Sequence, residues 1–307
     1  MYICINNNCW FTNIGEAFID IGLKKLMTNV TNNEKKFKLG CVSPMSTMYL
    51  PKEARVRAHF NGNLFKPDLL LFGGMYATSQ MFNLNDLLAE FRFAKSVKEN
   101  GGQIAFVGLG GINYDSKERE DVLKGLEVLQ PLFITTRDKL TYDLYSDYFE
   151  CKKGLDCAFW VNEEFNPTGM RCEKYVVSTF NRSDEPTEVG QIKGAVHPWH
   201  MQYSLNTRFT KYLAKSNLFV SDSPFEYLTL YANASKVYTD LVHAVVPSLI
   251  YQTPVKYWKV DMRRNAFEHL EYVKTDFDGF MYLDNEKLTT EKKEIENYIK
   301  KKLNGLN

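Results

Sequence analysis

The chain has 307 residues, 44% hydrophobic and 24% charged, which excludes a disordered polymer because so much apolar surface has to be buried. Divided by the ~150 residues of an ordinary domain, the length points to about two domains. The 38 Lys and Arg nearly cancel the 37 Asp and Glu, so the net charge of +1 excludes the strongly basic character of a simple nucleic-acid binder.

Short apolar runs alternate with amphipathic stretches along the first half. Tyr2 to Ile5 predicts a buried strand, followed by a polar turn at Asn6 to Asn8 and a helix over Asn13 to Met27. Asn13 or Thr12 can cap that helix, in which Ala17, Phe18, Ile21, Leu23 and Leu26 recur near helical spacing. Lys66 to Phe72 reads as a parallel strand breaking at Gly73-Gly74, and Gln103 to Val107 does the same before Gly108, Gly110 and Gly111. Phe133 to Thr136 is a fourth strand, ahead of Arg137. Strands alternating with helices predict an α/β, Rossmann-like layout whose ligands bind beyond the carboxyl ends of a parallel sheet.

The polar passage from Glu163 to Arg171 has the composition of a linker. A second α/β set follows. Its expected strands are Lys174 to Phe180, Leu218 to Ser221, Lys236 to Thr239 and Pro254 to Trp258. Its helices are Phe225 to Ala234 and a stretch holding Ala244, Val245, Leu249 and Ile250 that ends near Gln252. The predicted division is an N-terminal Rossmann-like domain over 1–165, a C-terminal one over 172–284, and an amphipathic helix over 285–307. Ile295, Ile299 and Leu303 mark one apolar face of that helix. Two such halves imply parallel sheets facing a central cleft.

Six cysteines form no CxxC pair and no zinc or disulfide spacing, so reduced, mostly buried thiols are expected. The N-terminus lacks a basic and then apolar leader, and no window approaches a bilayer span, which points to the cytoplasm. Lys300 to Lys302 leave open a peripheral contact with the inner face of the membrane, although a solvated face explains them as well.

Several residues are placed to carry chemistry. Asn13, Gly15 and Glu16 open the first helix, where free N–H groups attract anions. Gly73, Gly74, Gly108 and Gly110 lack a Cβ at strand ends, which suits either close ligand approach or tight turning. Neither loop is a dinucleotide fingerprint or a P-loop. Arg137 can grip a phosphate or carboxylate, or pair with Asp138 or Asp143, and Asp156 is an isolated acid in an apolar stretch. His197-Pro198-Trp199-His200 offers two imidazoles and an indole that can stack on a sugar or belong to the core; its HxxH spacing is weak for a metal, and none is expected. In Val237 to Trp258, a strand ends at Asp240 and His243 falls in the first turn of the next helix, so the imidazole can exchange a proton near neutral pH or be a hydrogen-bonded core group.

The stretches NIGEAF, DLLLFGG, IAFVGLGG, ITTRD, GLDCAF and YTDLVHAVVPSLIYQTPV resemble the polysaccharide pyruvyl transferase family. The resemblance implies a two-domain fold of the GT-B type and transfer of a pyruvyl group from phosphoenolpyruvate to a sugar of a cell-surface polysaccharide or its lipid-linked precursor. It places Asp240 and His243 in the acidic and histidine positions of the Asp-Arg-x-His signature, with His243 as acid/base and Asp240 orienting it, and Arg137 in the strand-end RD element. Leu241 stands where the signature has the arginine implied in holding the donor phosphate, and Met75 replaces a third glycine. Three readings follow from Leu241: another cation from Arg182, Arg208, Arg263 or Arg264, a different donor, or loss of activity.

The expected partners are a glycan or glycolipid acceptor and a small anionic donor, with no cofactor and no nucleic acid; a homo-oligomer is compatible with the sequence. A nucleotide-sugar-dependent glycosyltransferase and a non-catalytic glycan-binding protein are the alternatives.

Overall fold

The computed structural model describes the chain except for residues 9, 11–12, 33, 43–65, 80, 83–88, 112, 202–206, 259–266, 268 and 307. In the N-terminal half the elements are β1 (Tyr2–Asn6), α1 (Gly15–Thr31), β2 (Lys38–Val42), β3 (Leu69–Gly73), β4 (Tyr76–Ala77), α2 (Ala89–Glu99), β5 (Gln103–Gly111), α3 (Ser116–Leu129), β6 (Phe133–Thr136), α4 (Lys139–Tyr145) and β7 (Cys151–Lys153). There follow α5 (Val161–Glu164), β8 (Val176–Thr179), α6 (Thr187–Gly190), β9 (His197–Pro198), α7 (Thr207–Leu213), β10 (Leu218–Phe219), α8 (Pro224–Asn233), β11 (Lys236–Thr239), α9 (Val242–Ile250), β12 (Val255–Tyr257), β13 (Val273–Thr275), β14 (Met281–Leu283) and α10 (Asn285–Asn304). They form two compact units: Met1–Asn8, Leu26–Cys157 and Glu291–Asn307 make the first, Cys9–Lys25 and Ala158–Thr290 the second.

The first unit is built on a seven-stranded sheet of order β2-β1-β3-β5-β6-β7, with β4 beside β5 and every pairing parallel. All five residues of β3 are buried, as are eight of the nine in β5, and unbroken apolar runs of this kind suit strands covered on both faces. Phe72 stacks on Phe106 at 5.3 Å, and Phe91 and Val97 of α2 join Val122 and Leu126 of α3 in the same core. Asp115 caps α3 by accepting the Glu118 N–H at 2.8 Å. Ile295, Ile299 and Leu303 of α10 are buried, and the Tyr298 ring meets Phe133 edge-on at 5.8 Å. Lys300 and Lys302 pair with Glu34 and Glu150, so this basic run is partly engaged within its own unit.

In the second unit, β8, β11 and β12 are parallel neighbours in a sheet of order β13-β14-β12-β11-β8. The expected parallel sheet is extended at its edge by an antiparallel hairpin of β13 and β14. The Asp276 carboxylate accepts the Asp278 and Phe280 N–H groups, and Gly279 at φ 84° completes the reversal. A parallel β9–β10 pair adjoins β8 through a bridge between Val177 and Val196.

The units differ from the sequence-based boundaries. The passage expected to link domains packs inside the second unit: Phe165 meets Phe225 at 5.0 Å, its carbonyl accepts the Tyr251 hydroxyl at 2.6 Å, and the Pro167 carbonyl accepts Asn233 Nδ2 at 2.9 Å. Residues Cys9–Lys25 belong with it too, since Ile14 donates its N–H to the His200 carbonyl at 3.0 Å. Both shifts arise from long-range contacts that no local change of composition signals. Cys4 and Cys157 are buried, but Cys41 and Cys172 are exposed, which corrects the expectation of mostly buried thiols; Cys9 lies outside the described residues. Among the described residues no helix is long and apolar enough to cross a membrane.

Candidate functional site

In the second unit, β11 delivers a buried carboxylate at its carboxyl end. Asp240 accepts the N–H groups of Asn181 at 3.1 Å, Arg182 at 2.9 Å and Ser183 at 2.6 Å, and the Ser183 hydroxyl at 2.9 Å. The strand end is thereby tied to the turn that follows β8, its parallel neighbour. Burial raises the Asp240 pKa above the usual carboxylate value, an effect that the Ser183 N–H and hydroxyl, the Arg182 N–H and the Arg182 charge only partly offset. The carboxylate thus holds the turn at Asn181 to Ser183.

His243 is the second residue of α9 and is half-buried. Its side chain lies directly on Gly15: a Cβ at that position would stand 2.5 Å from both Cβ and Cγ of the histidine. Real side chains do not approach so closely, so the glycine of NIGEAF is the residue that makes room for the histidine of DLVH. Asn13 caps the start of α1, its Oδ1 accepting the Gly15 N–H at 3.1 Å and its carbonyl the Glu16 N–H at 3.0 Å. The alternative cap, Thr12, lies outside the described residues.

His200 links the same parts from behind. Its N–H donates to Asn181 Oδ1 at 2.8 Å and its carbonyl accepts from Ile14. The buried imidazole shares a hydrogen bond between Nε2 and the Tyr231 hydroxyl, meets Phe18 edge-on at 6.0 Å, and leaves Nδ1 without a partner. Burial, reinforced by the positive charges of His243 and Arg182, holds the His200 pKa well below that of a free histidine. His197 has its Nδ1 3.2 Å from the Ser178 carbonyl, and burial, then Lys215, lowers its pKa against the pull of Glu185. Both rings are framework groups packed in the second unit. Trp199 is core as well: its indole is 1% exposed, donates Nε1–H to the Met201 carbonyl at 2.6 Å and packs on Tyr212 at 4.9 Å, so it offers no face for a sugar.

The glycine loops and Arg137 belong to the first unit and line the carboxyl edge of its sheet. Gly73 ends β3, and its carbonyl accepts Asn8 Nδ2 at 3.2 Å. Gly74 and Gly108 adopt φ of 56° and 71°, conformations that glycine reaches without strain. Gly108 sits where the register of β5 against β6 shifts, and its N–H donates to Thr135 Oγ1 at 2.9 Å. Gly110 leaves space for Arg137, whose Nε would lie 2.3 Å from an added Cβ. The Arg137 guanidinium donates to Asp156 at 2.7 Å and lies 4.4 Å from the centre of the Tyr76 ring, with arginine and aspartate both buried. Burial works against the charge, but Tyr76 and Asp156 outweigh it and the Arg137 pKa is raised. Two residues proposed separately as ligand groups are therefore each other's partner. Asp138 instead caps α4 by accepting the Thr141 N–H at 2.7 Å, and Asp143 pairs with Lys139.

Sequence reasoning missed Asn181 and Tyr231, whose importance comes from partners 19 and 31 residues away from them in the chain. A signal for Asn181 existed in its place directly after the run KYVVSTF, where a polar residue follows a strand-like apolar stretch. Of the cations considered as substitutes for a signature arginine, Arg263, Arg264 and the Arg208 side chain lie outside the described residues, and Arg182 is described. Among the described residues no cluster of three His, Cys, Asp or Glu is arranged to hold a metal.

Several solved structures share this fold. The S. aureus MnaA–UDP co-structure is 12% identical, with 86% of this chain and 80% of that chain covered at a TM-score of 0.56. The UDP-GlcNAc 2-epimerase of Methanocaldococcus jannaschii in complex with UDP-GlcNAc and UDP is 12% identical, with 87% of each chain covered at 0.52. The enzyme from Neisseria meningitidis bound to UDP-GlcNAc is 10% identical, with 87% of this chain and 85% of that chain covered at 0.53. At such identities the likeness is one of fold, an α/β architecture of the GT-B type. No curated protein matches the chain. The sequence model of one family does, over residues 9–255, a span that includes α1, the glycine loops, the Asp240 clamp and His243; the chain belongs to the polysaccharide pyruvyl transferase family.

Proposed function

We propose that the protein transfers a pyruvyl group from phosphoenolpyruvate to two hydroxyls of a sugar in a cell-surface polysaccharide or its lipid-linked precursor. The observation that carries this reading is the seating of His243 on Gly15, one helical turn beyond the Asp240 clamp, in a chain of this family. In the reaction, two C–O bonds form at C2 of the enolpyruvyl group while its bond to the phosphate oxygen breaks. The two sugar hydroxyls lose their protons; one is gained by C3 and the other is released, giving a cyclic ketal and phosphate. His243 carries the proton to C3 as the acid/base group. Asp240 has a positioning role, fixing the turn at Asn181 to Ser183 and the entry to α9. Arg137 is left out as an anion holder because its guanidinium is bonded to Asp156. A lipid-linked acceptor would bring the enzyme to the inner face of the membrane.

The test is phosphate release coupled to ketal formation on a confirmed acceptor, followed by mass spectrometry. His243→Ala should lower turnover by roughly 10²–10⁴-fold with the melting temperature nearly unchanged, and wild-type turnover in that variant would remove the assignment. Leu241 and the UDP ligands of the fold relatives favour a second reading, a nucleotide-sugar donor. Stabilisation against heat by UDP or a UDP-sugar with none by phosphoenolpyruvate would select it.

A further inference from the structure

Two routes lead from the Asp240 carboxylate to His243. One is covalent, through Leu241 and Val242 into the first turn of α9, with the Leu241 N–H held by Thr239 Oγ1 at 2.9 Å. The other crosses space. Asp240 Oδ1 accepts the Asn181 N–H at 3.1 Å, and Asn181 Oδ1 accepts the His200 N–H at 2.8 Å. The His200 carbonyl in turn accepts the N–H of Ile14, the neighbour of the glycine on which His243 lies. We infer that Asn181 is a positioning residue: its carboxamide closes this second route and so fixes where the start of α1 meets the His243 ring. The whole circuit lies within the second unit. Its effect on the placement of the ring needs no assumption about the reaction, and its effect on turnover rests on the proposed acid/base role of His243.

A carboxamide suits position 181 because it accepts and donates from one point. Besides the bond from His200, its Nδ2 donates to the Pro198 carbonyl at 3.3 Å and to Thr179 Oγ1 at 3.4 Å, so the ends of β8 and β9 are tied together through it. Asn181 is 2% exposed, and its removal leaves the buried His200 N–H without this acceptor, a loss that favours movement of the backbone at His200. The Pro198 carbonyl keeps a second donor in the Thr179 hydroxyl at 2.9 Å, so the lost restraint falls chiefly on His200. That residue holds α1 at two places, by the bond from Ile14 and by the edge of its ring against Phe18. A displacement of His200 is therefore passed to the start of α1. Gly15 has no room for even a methyl group beneath the imidazole, so a change in where Gly15 sits changes where the ring can lie.

Proton–carbon NMR of protein carrying carbon-labelled histidine reads the ring directly, the His243 signal being assigned by its loss in His243→Gln. The comparison is between the wild type, Asn181→Ala and Tyr251→Phe. Tyr251→Phe is the control, because it removes a hydrogen bond at the other end of α9, from the Tyr251 hydroxyl to the Phe165 carbonyl. Asn181→Ala is expected to move the His243 signal and its titration midpoint. It should also lower turnover about 10- to 100-fold with the KM for phosphoenolpyruvate little changed, whereas Tyr251→Phe loses stability alone. Asn181→Ser keeps a hydroxyl in the buried turn and serves in the same comparison if the alanine variant does not fold. A His243 signal that is unchanged in a folded Asn181 variant, or that moves equally in Tyr251→Phe, overturns the inference. A moved signal with unchanged turnover upholds the link and overturns the acid/base reading of His243. The spectra need no donor, so a wild type inactive with phosphoenolpyruvate overturns the proposed reaction and leaves the His243 signal to decide the role of Asn181.

Discussion

Gly15 and His243 are separated by most of the chain yet pack so closely that a Cβ at position 15 would overlap the histidine side chain. Gly15→Ala should push the imidazole aside, destabilise the second unit by about 1–3 kcal/mol, and lower turnover towards that of His243→Ala. Denaturant titration and steady-state rates check both effects, and unchanged rates would mean that the ring has other room. At this scale the sequence was partly legible. The run VYTDLVHAVV places Asp240 at a strand end and His243 at a helix start, because the apolar run breaks at the acid and resumes with helical spacing. The pairing of Arg137 with Asp156 was not legible, since nearer acids exist and only the parallel alignment of β6 with β7 brings the distant one alongside.

Elements follow from apolar runs where both sheet faces are covered, and less well at the edges. The runs predicted as β6, β8 and β11 contain the observed strands, whereas β3 continues to Gly73 and β5 to Gly111, through glycines that were expected to end them. By contrast β2, β7 and the β13–β14 hairpin include exposed residues, so neither a sustained apolar run nor a clean alternation marks them. The element ends also hold the buried charges. Asp156→Ala strands the Arg137 guanidinium in the first unit and should cost about 3–5 kcal/mol, whereas the double variant Arg137→Met with Asp156→Leu should recover most of that loss. Urea melts of the two proteins decide this; equal stability of Asp156→Ala and the wild type would mean that the guanidinium finds another partner.

For the molecule as a whole, the buried histidines set how stability responds to acid. The pKa of His200 is far below its unfolded value near 6.5, and that of His197 is lowered in the same direction, so the unfolded chain takes up protons first as the pH falls. Stability is full above about pH 6.5 and is lost below it, with His200 alone contributing a slope approaching about 1.4 kcal/mol per pH unit. Urea denaturation between pH 7.5 and 5 should show this fall, shallower in His200→Gln; an identical slope in that variant would assign the acid sensitivity elsewhere. Domain boundaries were the least legible feature of all, because they depend on which distant segments pack together and not on the polarity of the chain between them.

The two compact units are interleaved along the gene: the chain enters the second by residue 9, returns to the first at Leu26, crosses again at Ala158 and comes back at Glu291. No single cut separates them. A half-length product ending at the polar passage near residue 165 would forfeit the Ile295–Leu303 stripe that covers its own core and would carry the His243-seating glycine away from its histidine. Exchanging whole halves of the chain with a relative would therefore replace part of both hydrophobic interiors at once.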